Sequence, residues 1–133
     1  MFLSQLVGEQ KQLFLELTIK AAEANDEVTN EEYLMIEAFA KEMQVEPIYK
    51  TDKDLRSILK RFKEISDDRD YKVVMIELLA ILFSDTEYDK KEQEFISNVS
   101  EELGISKSTI IDMTEAVREY GNSVRKLTNI VMG

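Results

Sequence analysis

Two short stretches of the chain are rich in acidic residues, and carboxylate oxygens are the ligands that hard divalent cations prefer. Because calcium needs several oxygens at about 2.3–2.6 Å, the stretches predict a site for calcium, magnesium or manganese where the fold brings them together. The predicted metal ligands are Asp26, Glu27, Glu32, Asp85, Glu87, Asp89 and Glu92. The second stretch is not an EF-hand, because its sixth position is Lys90 instead of glycine and its twelfth is Ile96 instead of glutamate.

Several of these carboxylates also fit roles at helix ends. Thr29 and Glu32 have the S/T-x-x-E spacing of a capping box, and Asp89 and Glu92 have the same spacing with aspartate as the cap. The remaining aspartates suit turns, since their side chains accept hydrogen bonds from nearby backbone. A metal site and a purely structural role therefore both stay open.

The composition excludes several classes of functional site. The chain has 133 residues with no cysteine and no histidine, which excludes disulfides, thiolate or imidazole metal sites and Ser/His triads. Its net charge of −10 argues against nucleic acid as a partner. Glu16, Glu23 and Glu77 lie on or near apolar helix faces, where acid–base chemistry would need two of them in one pocket. No nucleophile or cofactor motif accompanies them, so we expect no enzyme.

The chain shows no segment that predicts secretion or membrane insertion. Its first ten residues lack a basic region followed by a sustained apolar run, and the apolar run 73–82 is too short to span a bilayer and contains Glu77. We therefore expect a single domain over residues 1–133 in the cytoplasm.

The order of elements repeats after sixty residues. An apolar helix, an acidic stretch and an amphipathic helix occupy about 9–46 and again about 69–106, and a long C-terminal helix follows from about 107. With four glycines, one proline and no strand pattern, the chain predicts an all-α fold. The expected architecture is a compact helical bundle of about six to seven helices, built as a pseudo-duplicated helix-loop-helix with the first and fourth helices packed together.

Two later segments carry patterns of their own. Thr51 is a predicted N-cap for a helix over about 52–65, whose outer face is a basic stripe that we interpret as solvated. Gly121-Asn122 lies in the middle of the C-terminal helix and predicts a kink, a break or a close helix approach. The basic stripe comprises Lys53, Arg56, Lys60 and Lys63, and the apolar face of the C-terminal helix comprises Ile110, Met113, Val117, Val124, Leu127 and Val131.

The two acidic stretches also resemble a known family. An apolar helix, then Ala-x-Asp-Gly-x-Val, then a helix with an early glutamate is the pattern of the TerB-like tellurite-resistance proteins, and the N-terminal domain of some DnaJ-like membrane-anchored co-chaperones is similar to it. The glycine of that pattern is Glu27 in one copy and Thr86 in the other. The matching residues are Ala22, Ala24, Asp26, Val28 and Glu32, and then Asp85, Tyr88, Asp89 and Glu92.

The resemblance implies an all-helical protein whose acidic clusters bind divalent cations in stress and metal resistance, with no established catalytic reaction. The sequence and the resemblance together predict a non-enzymatic acidic helical module of that type. The alternative is a protein–protein adaptor or an immunity-type inhibitor with an acidic binding surface and no metal. In both cases we expect another protein as the partner, and a monomer or a homodimer.

Overall fold

The computed structural model describes residues 1–24, 29–82 and 90–133, and every regular element within them is a helix, without a strand. None of these described helices combines the length and the apolar character needed to cross a bilayer. The predicted all-α helical bundle is confirmed. The elements are a 3-10 turn at Leu3–Gln5 and the helices α1 Glu9–Glu23, α2 Asn30–Met43, α3 Leu55–Glu64, α4 Asp68–Leu82, α5 Lys90–Leu103 and α6 Lys107–Met132.

Helices α1 and α4 form the centre of the bundle. They contact each other, and α1 also contacts α2 and α3, while α4 contacts α5 and α6. Both helices are apolar on more than one face, as expected of helices surrounded by other helices. Each therefore buries most of its length, including Phe14 and Leu17 in α1 and Val74 and Leu78 in α4.

The sixty-residue spacing recurs in the bounds and the ends of two helices. Helices α2 and α5 each have 14 residues, and both start and end sixty positions apart. After α2 the Val45 N–H donates to the Ala40 carbonyl at 2.9 Å, and after α5 the Ile105 N–H donates to the Ser100 carbonyl at 2.9 Å. Both ends need a left-handed residue, which is Gln44 with φ 59° in one helix and Gly104 with φ 70° in the other.

Helix α3 starts three residues later than the sequence predicts, and the predicted Thr51 cap is wrong. Asp54 is the N-cap, and its carboxylate accepts from the Ser57 N–H at 2.7 Å. Hydrogen bonds from the backbone and the side chain of Ser57 lower the pKa of Asp54. The Thr51 hydroxyl instead lies before the helix, where it donates to the buried Glu16 carboxylate at 2.6 Å, a contact between distant parts of the chain, and accepts from the Lys53 N–H at 3.3 Å.

Helix α6 is continuous from Lys107 to Met132, so Gly121-Asn122 does not break it. The hydroxyl of Ser106 caps its start by accepting from the Thr109 N–H at 3.2 Å. A helix of 26 residues is about 39 Å long, whereas the 15 residues of α4 span only about 22 Å. The second half of α6 therefore extends beyond the helix on which its first half packs.

Candidate functional site

Two of the seven predicted metal ligands, Glu32 and Glu92, lie within the described residues. Glu32 lies in α2, where its carboxylate accepts from the Thr29 N–H at 3.0 Å while the Thr29 hydroxyl accepts from the Glu32 N–H at 3.2 Å, so the predicted capping box is confirmed. Glu92 lies in the first turn of α5 and is buried. Across residues 1–24, 29–82 and 90–133, no three acidic side chains come close enough to hold a metal. The predicted ligands that fall outside the described residues are Asp26, Glu27, Asp85, Glu87 and Asp89.

Glu16 is a buried carboxylate that fastens a distant segment to α1. Its side chain is 3% exposed, and Lys53 Nζ donates to Oε1 at 3.0 Å. The hydroxyl of Thr51 donates to the other oxygen at 2.6 Å. Both donors belong to the segment that leads into α3, so this carboxylate fixes where α3 begins against α1.

Glu77 is a second buried carboxylate, and it holds the first residues of the chain against α4. Its carboxylate in α4 accepts from the Phe2 N–H at 2.8 Å and lies 3.2 Å from the Met1 amino group. Glu42 of α2 accepts from the Leu3 N–H at 3.1 Å. Burial by itself would lower the pKa of the Met1 amino group, but attraction and hydrogen bonds from Glu77 and Glu42 outweigh it and raise that pKa.

The third carboxylate considered for acid–base chemistry is exposed. Glu23 forms an ion pair with Lys20 of the same helix at 3.5 Å. Glu16 and Glu77 bind donors from different segments, so their contacts are those of two separate structural ties. Such ties need no catalytic role to explain why carboxylates are buried here.

The basic stripe of α3 divides into two parts. Lys53 is bound to Glu16, whereas the other three cations line a groove of about 660 Å³ beside α5. Glu64 and Glu102 share that groove, so it presents both charges to solvent. This mixed lining agrees with a solvated face. The cations in the groove are Arg56, Lys60 and Lys63.

The most unusual surface is on the second half of α6. There, four apolar side chains follow one another at spacings of four, three and four residues: Tyr120, Val124, Leu127 and Val131, here called the C-terminal stripe. They are 55%, 43%, 62% and 81% exposed, while Met113 and Val117 on the same face one turn or more earlier are buried. Nothing in the described part of the chain covers the C-terminal stripe.

The apolar spacing of α6 was visible in the sequence, but its exposure was not. Periodicity shows which residues share a face, and most such faces pack against the core of the same chain. The signal that distinguishes this face is the length of the helix. Helix α6 has 26 residues, whereas α4, on which it packs, has only 15 and cannot cover its whole face alone.

Comparison with known proteins identifies no relative for this arrangement. No family model matches the chain, and neither a curated protein nor a solved structure shows significant similarity to it.

Proposed function

We propose that this protein is a non-catalytic protein-binding module and that the C-terminal stripe is its binding surface. The observation that carries the proposal is the exposure of four apolar side chains along one face of α6. Contiguous exposed apolar patches are uncommon on proteins that work alone, because leaving such side chains in water forfeits the free energy that their burial would release. A partner that covers the stripe recovers that free energy.

The buried carboxylates support the non-catalytic part of this proposal. Glu16 and Glu77 each accept hydrogen bonds from the chain's own donors, and those bonds hold segments in place. A catalytic acid or base needs a face open to substrate. The 3% side-chain exposure of both residues leaves little room for one.

Site-specific photo-cross-linking tests the binding surface directly. A photoreactive amino acid at Leu127 is expected to yield covalent protein adducts in living cells, because a partner on the C-terminal stripe lies within reach of that side chain. The same amino acid at Asn129 is the matched control, since Asn129 is also exposed but lies on the opposite face of α6. Adducts are measured as mass-shifted bands and identified by mass spectrometry.

The two positions separate binding from mere exposure. Adducts from Leu127 and not from Asn129 support a partner on the stripe. Equal labelling at both positions, or none at Leu127, contradicts the proposal.

A second candidate function is the one that the resemblance to TerB-like proteins implies, namely divalent-cation binding in stress resistance. One observation favours it: Glu92, a predicted ligand in the second acidic stretch, is 2% exposed in the first turn of α5. Hard cations prefer carboxylate oxygens, so a buried carboxylate at this position is compatible with a cation held by that stretch.

A thermal melt tests the cation. In EDTA-stripped protein, calcium, magnesium or manganese is expected to stabilise the folded state by about 2.7 kcal/mol at a hundred times Kd, because only the folded state holds the site. Asp85→Ala and Glu92→Gln should abolish the rise in Tm, whereas Glu94→Gln on the exposed side of α5 should keep it. A Tm that no cation raises would contradict this second candidate and leave the protein-binding proposal unaffected.

A further inference from the structure

The residues of the C-terminal stripe have the spacing of a heptad repeat. From Val117 onward the apolar residues recur at alternating intervals of three and four, through Tyr120, Val124 and Leu127 to Val131. In heptad notation Val124 and Val131 occupy the a positions of the stripe, and Tyr120 and Leu127 occupy its d positions. The preceding a position is Val117, which is buried in the bundle. A β-branched residue at a with leucine at d favours coiled coils of two strands.

The positions beside the stripe fit close approach of a second helix. The flanking e and g positions include Gly121, Ser123 and Thr128, which are small and uncharged. The charged groups of this segment lie further round the helix, where Arg125 donates to Asn122. Partner choice by charge pairing uses the e and g positions, so this stripe selects its partner by shape and apolar contact instead.

A self-complementary surface of this kind fits a second copy of itself. In a two-fold dimer the same stripe is buried on both helices, so one apolar face provides both halves of the interface. Complete burial of one such side chain removes on the order of 60–120 Å² of apolar surface from water. With Ile130 beside the stripe, the exposed fractions correspond to about 200–400 Å² per chain.

The apolar area that the dimer would bury indicates how strongly two copies should associate. Two copies together would bury roughly 400–800 Å² of apolar surface, and homodimer interfaces are about 65% apolar, so the whole interface is near 600–1,200 Å². Interfaces of this size belong to weak or transient complexes, whereas stable dimers bury about 1,200–2,000 Å². The expected association is therefore micromolar.

We infer that a second copy of this chain covers the C-terminal stripe, through a two-stranded coiled coil between the second halves of two α6 helices. The inference rests on the proposed function, because it names the partner of the same surface. Net charge opposes this association, since each copy carries −10. The apolar contact must outweigh that repulsion.

Sedimentation equilibrium of the full chain tests the inference. Wild-type protein is expected to dimerise with a micromolar Kd, and Leu127→Glu should raise that Kd by at least about 100-fold, because it places a charge inside the apolar seam. Asn129→Glu adds the same charge on the opposite face and should change Kd by less than about 3-fold. Both positions are exposed in the single chain, so matching melting curves in dilute solution establish that both variants fold.

Salt gives an independent reading of the same dimer. Raising the NaCl concentration from about 50 mM to about 500 mM should tighten it, because screening weakens the repulsion between two acidic bodies while the seam contains no ion pair. A Kd that rises with salt would overturn the apolar seam and indicate ionic contacts between copies.

The remaining outcomes separate this inference from the proposed function. A wild-type chain that stays monomeric at several hundred micromolar overturns the dimer, and heterologous adducts from Leu127 would then still support a protein-binding surface. A monomeric chain that co-sediments with vesicles of anionic phospholipid, through the stripe and the adjacent Arg125 and Lys126, would overturn both the dimer and the proposed protein-binding function. Loss of that co-sedimentation in Leu127→Glu would identify the membrane as the occupant.

Discussion

Replacing Phe14 with alanine is expected to lower the free energy of unfolding by about 3–5 kcal/mol. Phe14 is fully buried in α1, and its ring meets the ring of Phe39 in α2 edge to face, with centroids 5.5 Å apart. Helix α1 also contacts α3 and α4, so surrounding helices hold the cavity open and limit how far it can collapse. Urea denaturation followed by far-UV circular dichroism measures the loss.

A comparison with an exposed residue isolates the effect of packing. Leu34→Ala removes a side chain that is 63% exposed on α2, and should change the unfolding free energy by no more than about 0.5 kcal/mol. Phe14→Leu should lie between the two, because leucine fills part of the cavity. A loss below about 1 kcal/mol for Phe14→Ala would contradict the central position of α1 in the core. Total stabilities of single domains are about 5–15 kcal/mol, so the expected loss is a large share.

Features with a local cause were predictable from the sequence. The start of α1 at Glu9, the Thr29 capping box and the Ser106 cap each follow from residues within a few positions of one another. The left-handed end of α5 at Gly104 was readable for the same reason, since glycine accepts that conformation without strain. Apolar spacing identified the helices because the same residues that share a face are buried together.

Features that depend on contacts between distant segments were not predictable. Gln10 is almost fully buried, and its amide donates to the Ser66 hydroxyl at 2.9 Å and to the Asp70 carboxylate at 3.1 Å, more than fifty residues away. Thr51 has the local appearance of a helix cap, but Asp54 caps α3, and the Thr51 hydroxyl donates to the distant Glu16 carboxylate. A single sequence carries no signal for which distant donor reaches which acceptor.

The C-terminal stripe also combines a feature that was predictable from local sequence with one that was not. Spacing placed Val124, Leu127 and Val131 on one face of the last helix, and that grouping is local information. Whether another element covers the face depends on how far the neighbouring helices extend in the folded bundle. Only the structure shows that α4 ends short of these residues, and that comparison turns an ordinary amphipathic pattern into an exposed surface.

The second large effect is expected at Glu16. Lys53→Met should lower the free energy of unfolding by about 2–3 kcal/mol, because it leaves a buried carboxylate without the ammonium group that now lies 3.0 Å away. Glu16→Gln in the same chain should restore most of that loss, since glutamine is neutral and still accepts from the Thr51 hydroxyl. Urea denaturation of the wild type, both single variants and the double variant gives the coupling energy.

The ion pair of the exposed Glu23 provides the reference for that cycle. Lys20 and Glu23 are one helical turn apart on α1, and their coupling should be below about 0.5 kcal/mol because solvent screens the pair. A coupling energy between Glu16 and Lys53 well above that of Lys20 and Glu23 would support the role of Glu16 in holding the start of α3 against α1. Equal coupling energies for the two pairs would contradict that role.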